Sequence, residues 1–114
     1  VDLDALRARS LALGDRFIAG VEAACPDLSL ATPRDHAARG SQVSFRHPDG
    51  YAIMQALIAR GVIGDFRAPD ILRFGIAPLY LSEGKIDAAV ATLAETLRSA
   101  AWDRPEYRAR KAVT

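Results

Sequence analysis

The fold is decided by the stretch Ile71-Leu72-Arg73-Phe74-Gly75-Ile76. Its second, fourth and sixth residues are large and apolar, whereas Arg73 and Gly75 stand between them. A repeat of two is typical of a β-strand that turns one face to a core and the other away from it. The stretch therefore predicts a half-buried strand with a positive charge on its outer face, and Pro78 stops it or places it at a sheet edge.

A second strand is predicted over residues 41–47, where Val43, Phe45 and His47 alternate with polar residues. Further upstream, the connector of residues 26–40 contains a short apolar alternation that allows one more, shorter strand at residues 28–30.

Residues 62–70, just before the strand that begins at Ile71, fall into two predicted segments. Val62 and Ile63 could start a short strand, and the polar residues 64–70 are predicted to form a loop.

Three stretches repeat their apolar residues at helical spacing and predict helices over residues 4–24, 49–60 and 82–100. Pro26 ends the first helix. Asp49 is the predicted N-cap of the second, with its carboxylate on free backbone N–H groups, and Gly61 is its left-handed C-terminal residue. Ser82 is the predicted cap of the third. The apolar faces consist of Leu6, Leu13, Phe17 and Val21, then Tyr51, Met54, Leu57 and Ile58, then Ile86, Ala89, Val90, Leu93 and Leu97.

This order of helices and strands predicts a single α+β domain over residues 1–114, with a short antiparallel or mixed sheet that helices cover on one face. The chain has 114 residues, of which 50% are hydrophobic, so it can bury a modest core. Because Val1 is followed at once by a helical pattern with no starting Met, we expect a piece of a longer protein.

Charge and composition exclude several classes of partner. The formal net charge is +1, so no overall field attracts nucleic acid or an anionic membrane. The apolar runs are far shorter than the roughly 20 residues that span a bilayer. Cys25 is the only cysteine, which suits a reducing compartment, so we expect a cytoplasmic protein.

Arg73 is the candidate binding residue, because a charge interrupts an otherwise apolar strand. Its planar guanidinium matches a carboxylate, and Gly75 beside it leaves room for a ligand to approach. The alternative is an ion pair with Asp65 or Asp70 in the preceding loop, and spacing alone does not decide between the two.

The other chemically active side chains predict no catalytic, metal or cofactor site. His36 and His47 lack a third ligand at a recognised interval. Cys25 precedes a proline at a helix end, where a small buried residue is the usual occupant. Lys85 and Lys111 are the only lysines, and neither lies where burial would prepare an amine for a Schiff base.

Three segments carry a resemblance to a known family. They are Arg39-Gly40-Ser41-Gln42-Val43-Ser44-Phe45, Arg60-Gly61-Val62-Ile63-Gly64-Asp65-Phe66-Arg67 and Ile71-Leu72-Arg73-Phe74-Gly75-Ile76-Ala77-Pro78-Leu79-Tyr80. In this order they resemble the C-terminal domain of bacterial kynureninases, and Arg9-Ser10-Leu11-Ala12-Leu13 and Thr32-Pro33-Arg34-Asp35-His36 extend the match upstream.

The resemblance implies an aspartate-aminotransferase-like (fold type I) enzyme, a homodimer that hydrolyses L-kynurenine, or 3-hydroxykynurenine, with pyridoxal 5'-phosphate as cofactor. It also implies that Arg73 binds the substrate's α-carboxylate. The Schiff-base lysine and the other cofactor ligands would belong to a missing large domain, so this piece alone would be inactive. Residues 1–25 would lead in from that domain, and residues 101–114 would be the natural C-terminal tail.

Two other interpretations stay open. The chain could be a free-standing α+β module that uses Arg73 to hold a small carboxylate. It could also be the small domain of a related pyridoxal-phosphate lyase or aminotransferase, which fits residues 71–80 less well.

Overall fold

The computed structural model describes residues 2–62, 64–76 and 81–108. Its helices are α1 (Leu3–Ala24), α2 (Gly50–Ala59), α3 (Glu83–Arg98) and the short α4 (Pro105–Arg108). Its strands are β1 (Ser29–Leu30), β2 (Gln42–Arg46), β3 (Asp65–Arg67) and β4 (Ile71–Gly75), and a 3-10 turn covers His36–Ala38. The strand end predicted at Pro78 and the strand residue predicted at Ile63 lie outside the described residues.

The described strands form one antiparallel sheet in the order β1-β2-β4-β3. Val43 lies opposite Phe74 and Phe45 lies opposite Leu72, so the apolar faces of β2 and β4 coincide. This register places the predicted core residues on one side and Arg73 on the other. The predicted α+β class is confirmed, and the predicted choice between antiparallel and mixed pairing resolves to antiparallel.

The core lies between the sheet and the helices. The Phe17 ring of α1 packs against Phe45 of β2 and Phe74 of β4, with ring centroids 6.1 Å and 5.1 Å apart. Burying one such side chain contributes roughly 1.5–3 kcal/mol. The buried cluster contains Leu13, Phe17, Ile18 and Val21 of α1, Ile53, Met54 and Leu57 of α2, and Ile86 and Leu93 of α3. It confirms most of the predicted apolar faces, although Ile58 is exposed.

Of the two predicted N-caps, the one of α3 is present and the one of α2 is not. Ser82 caps α3 as predicted, since its side chain accepts a hydrogen bond from the Lys85 N–H at 3.2 Å. Asp49 stands at the N-cap of α2, but its side chain makes no capping bond, so that prediction is wrong. Its backbone, with φ −102° and ψ 28°, is not in the extended conformation of a usual N-cap, and its carboxylate accepts a hydrogen bond from Arg108 at 3.3 Å.

Gly61 ends α2 with a φ of +88°, as predicted for a left-handed C-terminal residue. Val62 then donates its N–H back to the Leu57 carbonyl, which makes it part of the helix end. The prediction of a strand that starts at Val62 is therefore wrong. The strand in this part of the chain is β3 at Asp65–Arg67, so the prediction of a polar loop over residues 64–70 is also wrong for these three residues.

The tail packs back on the domain. The Trp102 ring meets His47 with centroids 5.9 Å apart, and the Arg108 guanidinium lies 5.1 Å from the centre of the indole. Stacking of a cation on an aromatic face is favourable even at partly exposed sites. Residues 109–114 lie outside the described residues. Among the described helices, none has the length and apolar character that a bilayer crossing requires.

Candidate functional site

Arg73 lies in the middle of β4 on the sheet face opposite the helices. Its cross-strand neighbours are Ser44 on β2 and Asp65 on β3. Because strand pairing fixes all three backbones, the guanidinium projects from a rigid part of the fold. The side chain is 27% exposed, which leaves it accessible from outside the domain.

Asp65 accepts two hydrogen bonds from Arg73. The Arg73 Nε donates to Oδ1 at 2.6 Å, and Nη2 donates to Oδ2 at 2.7 Å. The bond from Arg73 lowers the pKa of the Asp65 carboxyl, and the same pairing raises the pKa of Arg73. Of the two ion pairs that the sequence allowed, the one with Asp65 is present. The Oδ1 atom of Asp70 instead lies 3.7 Å from the Nη1 atom of Arg46.

Two glycines determine the space around Arg73. A Cβ at Gly64 would lie 2.6 Å from the Arg73 carbonyl oxygen, so only glycine lets the start of β3 approach β4 this closely. A Cβ at Gly75 would meet no atom within 4 Å. The room that the sequence predicted beside Arg73 is therefore present.

A groove of 770 Å³ lies along this end of the sheet and reaches α3. Its polar lining includes Gln42, Asp65, Arg73 and Lys85, and Phe74 and Ile86 contribute apolar surface. A cleft of this size, with an apolar lining and a few convergent polar groups, is typical of small-molecule sites.

The outer sheet face is basic beyond Arg73. Arg46 on β2 and Arg67 on β3 stand on either side of Ile71 in one cross-strand row. Together with Arg73 they line a second, open groove of 580 Å³. Two of these arginines have carboxylate partners, Arg73 with Asp65 and Arg46 with Asp70, so the positive charge of this face is only partly balanced.

Arg39 is a buried ion-pair residue whose role the sequence did not reveal. Its side chain is 1% exposed and donates to the Leu11 carbonyl at 2.9 Å and to the Asp15 carboxylate at 2.7 Å. Burial raises the pKa of Asp15, but hydrogen bonds from Arg39 and His36 outweigh it and lower that pKa. Arg39 thus connects α1 to the segment just before β2.

The remaining candidates lie apart from Arg73. His36 contacts Asp15 at 2.7 Å, and His47 accepts a hydrogen bond at Nδ1 from the Asp49 N–H. Cys25 is buried, as predicted, and burial raises the pKa of its thiol. Within residues 2–62, 64–76 and 81–108, no group of three His, Cys, Asp or Glu side chains could hold a metal ion.

Lys85 is exposed in the first turn of α3, and Lys111 lies outside the described residues. An exposed amine is not desolvated, which is what a Schiff-base lysine requires. Among the described residues, no lysine therefore fits the role of the Schiff-base lysine of pyridoxal 5'-phosphate.

Comparison with known proteins places the chain in a family. Residues 6–93 match the family model described as the kynureninase C-terminal domain. The kynureninases of Burkholderia mallei (strain SAVP1) and Pseudomonas fluorescens are 56% and 51% identical to the chain over 115 aligned residues. Each match covers 99% of this chain, which spans only 28% of the length of either relative.

Solved structures give the same fold. Lysine aminotransferase from M. tuberculosis, in its internal aldimine form, superposes with a TM-score of 0.60 at 26% identity, over 80% of this chain and 21% of that one. The fold is thus the predicted one, that of the fold type I enzymes. The chain belongs to the kynureninase C-terminal domain family.

Proposed function

We propose that the chain is the C-terminal domain of a pyridoxal-phosphate-dependent kynureninase. The whole protein would hydrolyse L-kynurenine, or its 3-hydroxy form, to L-alanine and anthranilate or 3-hydroxyanthranilate, as a cytoplasmic homodimer. The identity of 56% to a kynureninase over nearly the whole chain supports this assignment. In this proposal α1 leads in from a larger domain, which carries the cofactor and its lysine.

The contribution of this domain is to bind the substrate's α-carboxylate through Arg73. The observation that carries the proposal is a guanidinium held on a central strand, at the wall of a 770 Å³ groove, with open space beside it at Gly75. A planar fork of N–H donors matches the two oxygens of a carboxylate. A fixed carboxylate also orients the rest of the substrate, so the bond contributes to positioning as well as to affinity.

The experiment is anthranilate release from L-kynurenine, followed by its fluorescence, with the full-length protein and added pyridoxal 5'-phosphate. Arg73→Gln is expected to lower kcat/KM by at least about 30-fold, since it removes one partner of a charge pair that binding desolvates. Arg46→Gln, which removes another charge from the same face, is the matched control and is expected to change kcat/KM far less. Similar losses in both variants would show that Arg73 contributes only general charge.

A second candidate follows from the fold. The likeness to lysine aminotransferase favours a related pyridoxal-phosphate aminotransferase or lyase as the alternative. A full-length protein that binds the cofactor but releases no anthranilate from either kynurenine form would support this alternative and contradict the first.

A further inference from the structure

The Arg73 guanidinium has two edges that can each bind a carboxylate with two hydrogen bonds. Asp65 occupies the side edge, which consists of Nε and Nη2. A guanidinium carries five N–H donors, so three remain, two on Nη1 and one on Nη2. No hydrogen bond among the described residues uses Nη1, which leaves the end edge available to a ligand.

We propose that Asp65 is a positioning residue for the substrate carboxylate, an inference that rests on the proposed function. Asp65 holds the side edge of Arg73 and thereby aims the end edge into the groove. The substrate carboxylate then binds at Nη1 and Nη2 while Asp65 keeps its own two bonds. Asp65 does not contact the substrate and acts through Arg73.

The backbone keeps Asp65 in this place. Asp65 and Arg73 are directly paired across β3 and β4, and Gly64 permits the close approach of the two strands. Displacement of Asp65 by a ligand would require the side chain to leave a partner that its own strand holds in register. Simultaneous binding on the two edges avoids that loss.

Charge balance allows two carboxylates at one arginine here. The Asp65 carboxylate neutralises Arg73, so a second carboxylate would need further positive charge. Arg67 supplies part of it, since its charge also lowers the pKa of Asp65. A guanidinium that is already fixed loses less side-chain freedom on binding than a mobile one.

The test uses the full-length protein with pyridoxal 5'-phosphate, and the variant is Asp65→Asn. Two ligands are compared, namely L-kynurenine as substrate and its decarboxylated analogue as a competitive inhibitor. We expect KM for L-kynurenine to rise about three- to tenfold, with a smaller change in kcat. The inhibition constant of the analogue should stay within about twofold, because it has no carboxylate for Arg73 to bind.

Asp87→Asn is the matched control. Asp87 accepts from Arg16 through the same pair of donors, Nε at 2.8 Å and Nη2 at 2.7 Å, but it is not part of the groove lining. Its removal should leave both constants unchanged. In an Arg73→Gln background, Asp65→Asn should have no further effect on KM, because Asp65 acts only through Arg73.

The possible failures are distinguishable. A wild-type protein that releases no anthranilate would overturn the proposed function and this inference with it. If the wild type is active and Arg73→Gln is impaired, an Asp65→Asn variant with an unchanged KM overturns the inference alone. A lower KM would show that Asp65 competes with the substrate, and an equal weakening of both ligands would show a structural effect. Either result also overturns it.

Discussion

Gly61 and Ala100 occupy the same position of the same helix-ending motif. Gly61 donates its N–H to the Ile58 carbonyl at 3.1 Å, and Ala100 donates to the Leu97 carbonyl at 3.3 Å. The next residue in each case bonds to the carbonyl one residue further back, Val62 to Leu57 and Ala101 to Thr96. Both central residues have positive φ, +88° and +53°, which disfavours any residue with a Cβ.

Replacement of Ala100 by Gly is therefore expected to stabilise the chain. The relief of left-handed strain exceeds the added freedom of the unfolded state, and the free energy of unfolding should rise by up to about 1 kcal/mol. Urea denaturation measures the change. Ala91→Gly, at an exposed interior position of the same helix, should instead cost about 1 kcal/mol. A loss of stability in both variants would contradict the assigned motif.

Arg39 is expected to be the most important single ion-pair residue for stability. Arg39→Met removes a buried guanidinium that donates to the Leu11 carbonyl and to the half-exposed Asp15 carboxylate, so unfolding should become easier by about 1–3 kcal/mol. The comparison is Arg34→Met, which removes an exposed ion pair with Glu22. Surface pairs contribute little, so urea midpoints should differ clearly between the two variants. Equal midpoints would refute the importance of burial.

Acid should destabilise the chain partly through Asp65. Its pKa is lowered in the folded state by the bond from Arg73, so its contribution is complete above the unfolded pKa near 3.9. That contribution is lost as the pH falls through the lower folded pKa. Asp65→Asn should therefore flatten the decline of the urea midpoint below about pH 4. An unchanged decline would show that the pair contributes nothing to folding.

Trp102 is expected to hold the tail against the domain. Trp102→Ala removes the contacts with His47 and Arg108, so residues 101–108 should detach more often and trypsin should cut faster after Arg108. Trp102→Phe keeps an aromatic face and should retain much of the protection. Mass spectrometry of the fragments gives both rates. Equal cleavage of the wild type and the alanine variant would contradict this docking.

The sequence predicted the helices and strands whose apolar repeat is long enough to recognise, and the helix ends whose hydrogen-bond partners lie nearby in the sequence. The helices, β2 and β4 have clear periods, and Ser82 and Gly61 act within one turn. In contrast, β3 has a single partly buried residue, Phe66, between two charges, and three residues are too few to show a repeat. From sequence alone, a short edge strand of this kind is predicted as a loop, because only its pairing with β4 shows that it is a strand.

Distant contacts explain the other differences. Asp49 does not cap α2, and its carboxylate accepts a hydrogen bond from Arg108, which is 59 residues away. Arg39 is separated by 24 residues from Asp15, so no spacing rule connects them. For Arg73 the sequence identified both the residue and the alternative pair. Only the register of β3 and β4 shows which edge of the guanidinium Asp65 occupies.

The open sheet face has a consequence for how tightly a carboxylate binds. Water reaches Arg73 there and screens its field. At the edge of a protein interior, attraction between two charges is roughly fourfold stronger than in water. Any surface that closes over β2, β3 and β4 and excludes water would strengthen the hold on a ligand without forming a new bond. Affinity at this site is therefore a property of the closed assembly, and the domain alone should bind carboxylates weakly.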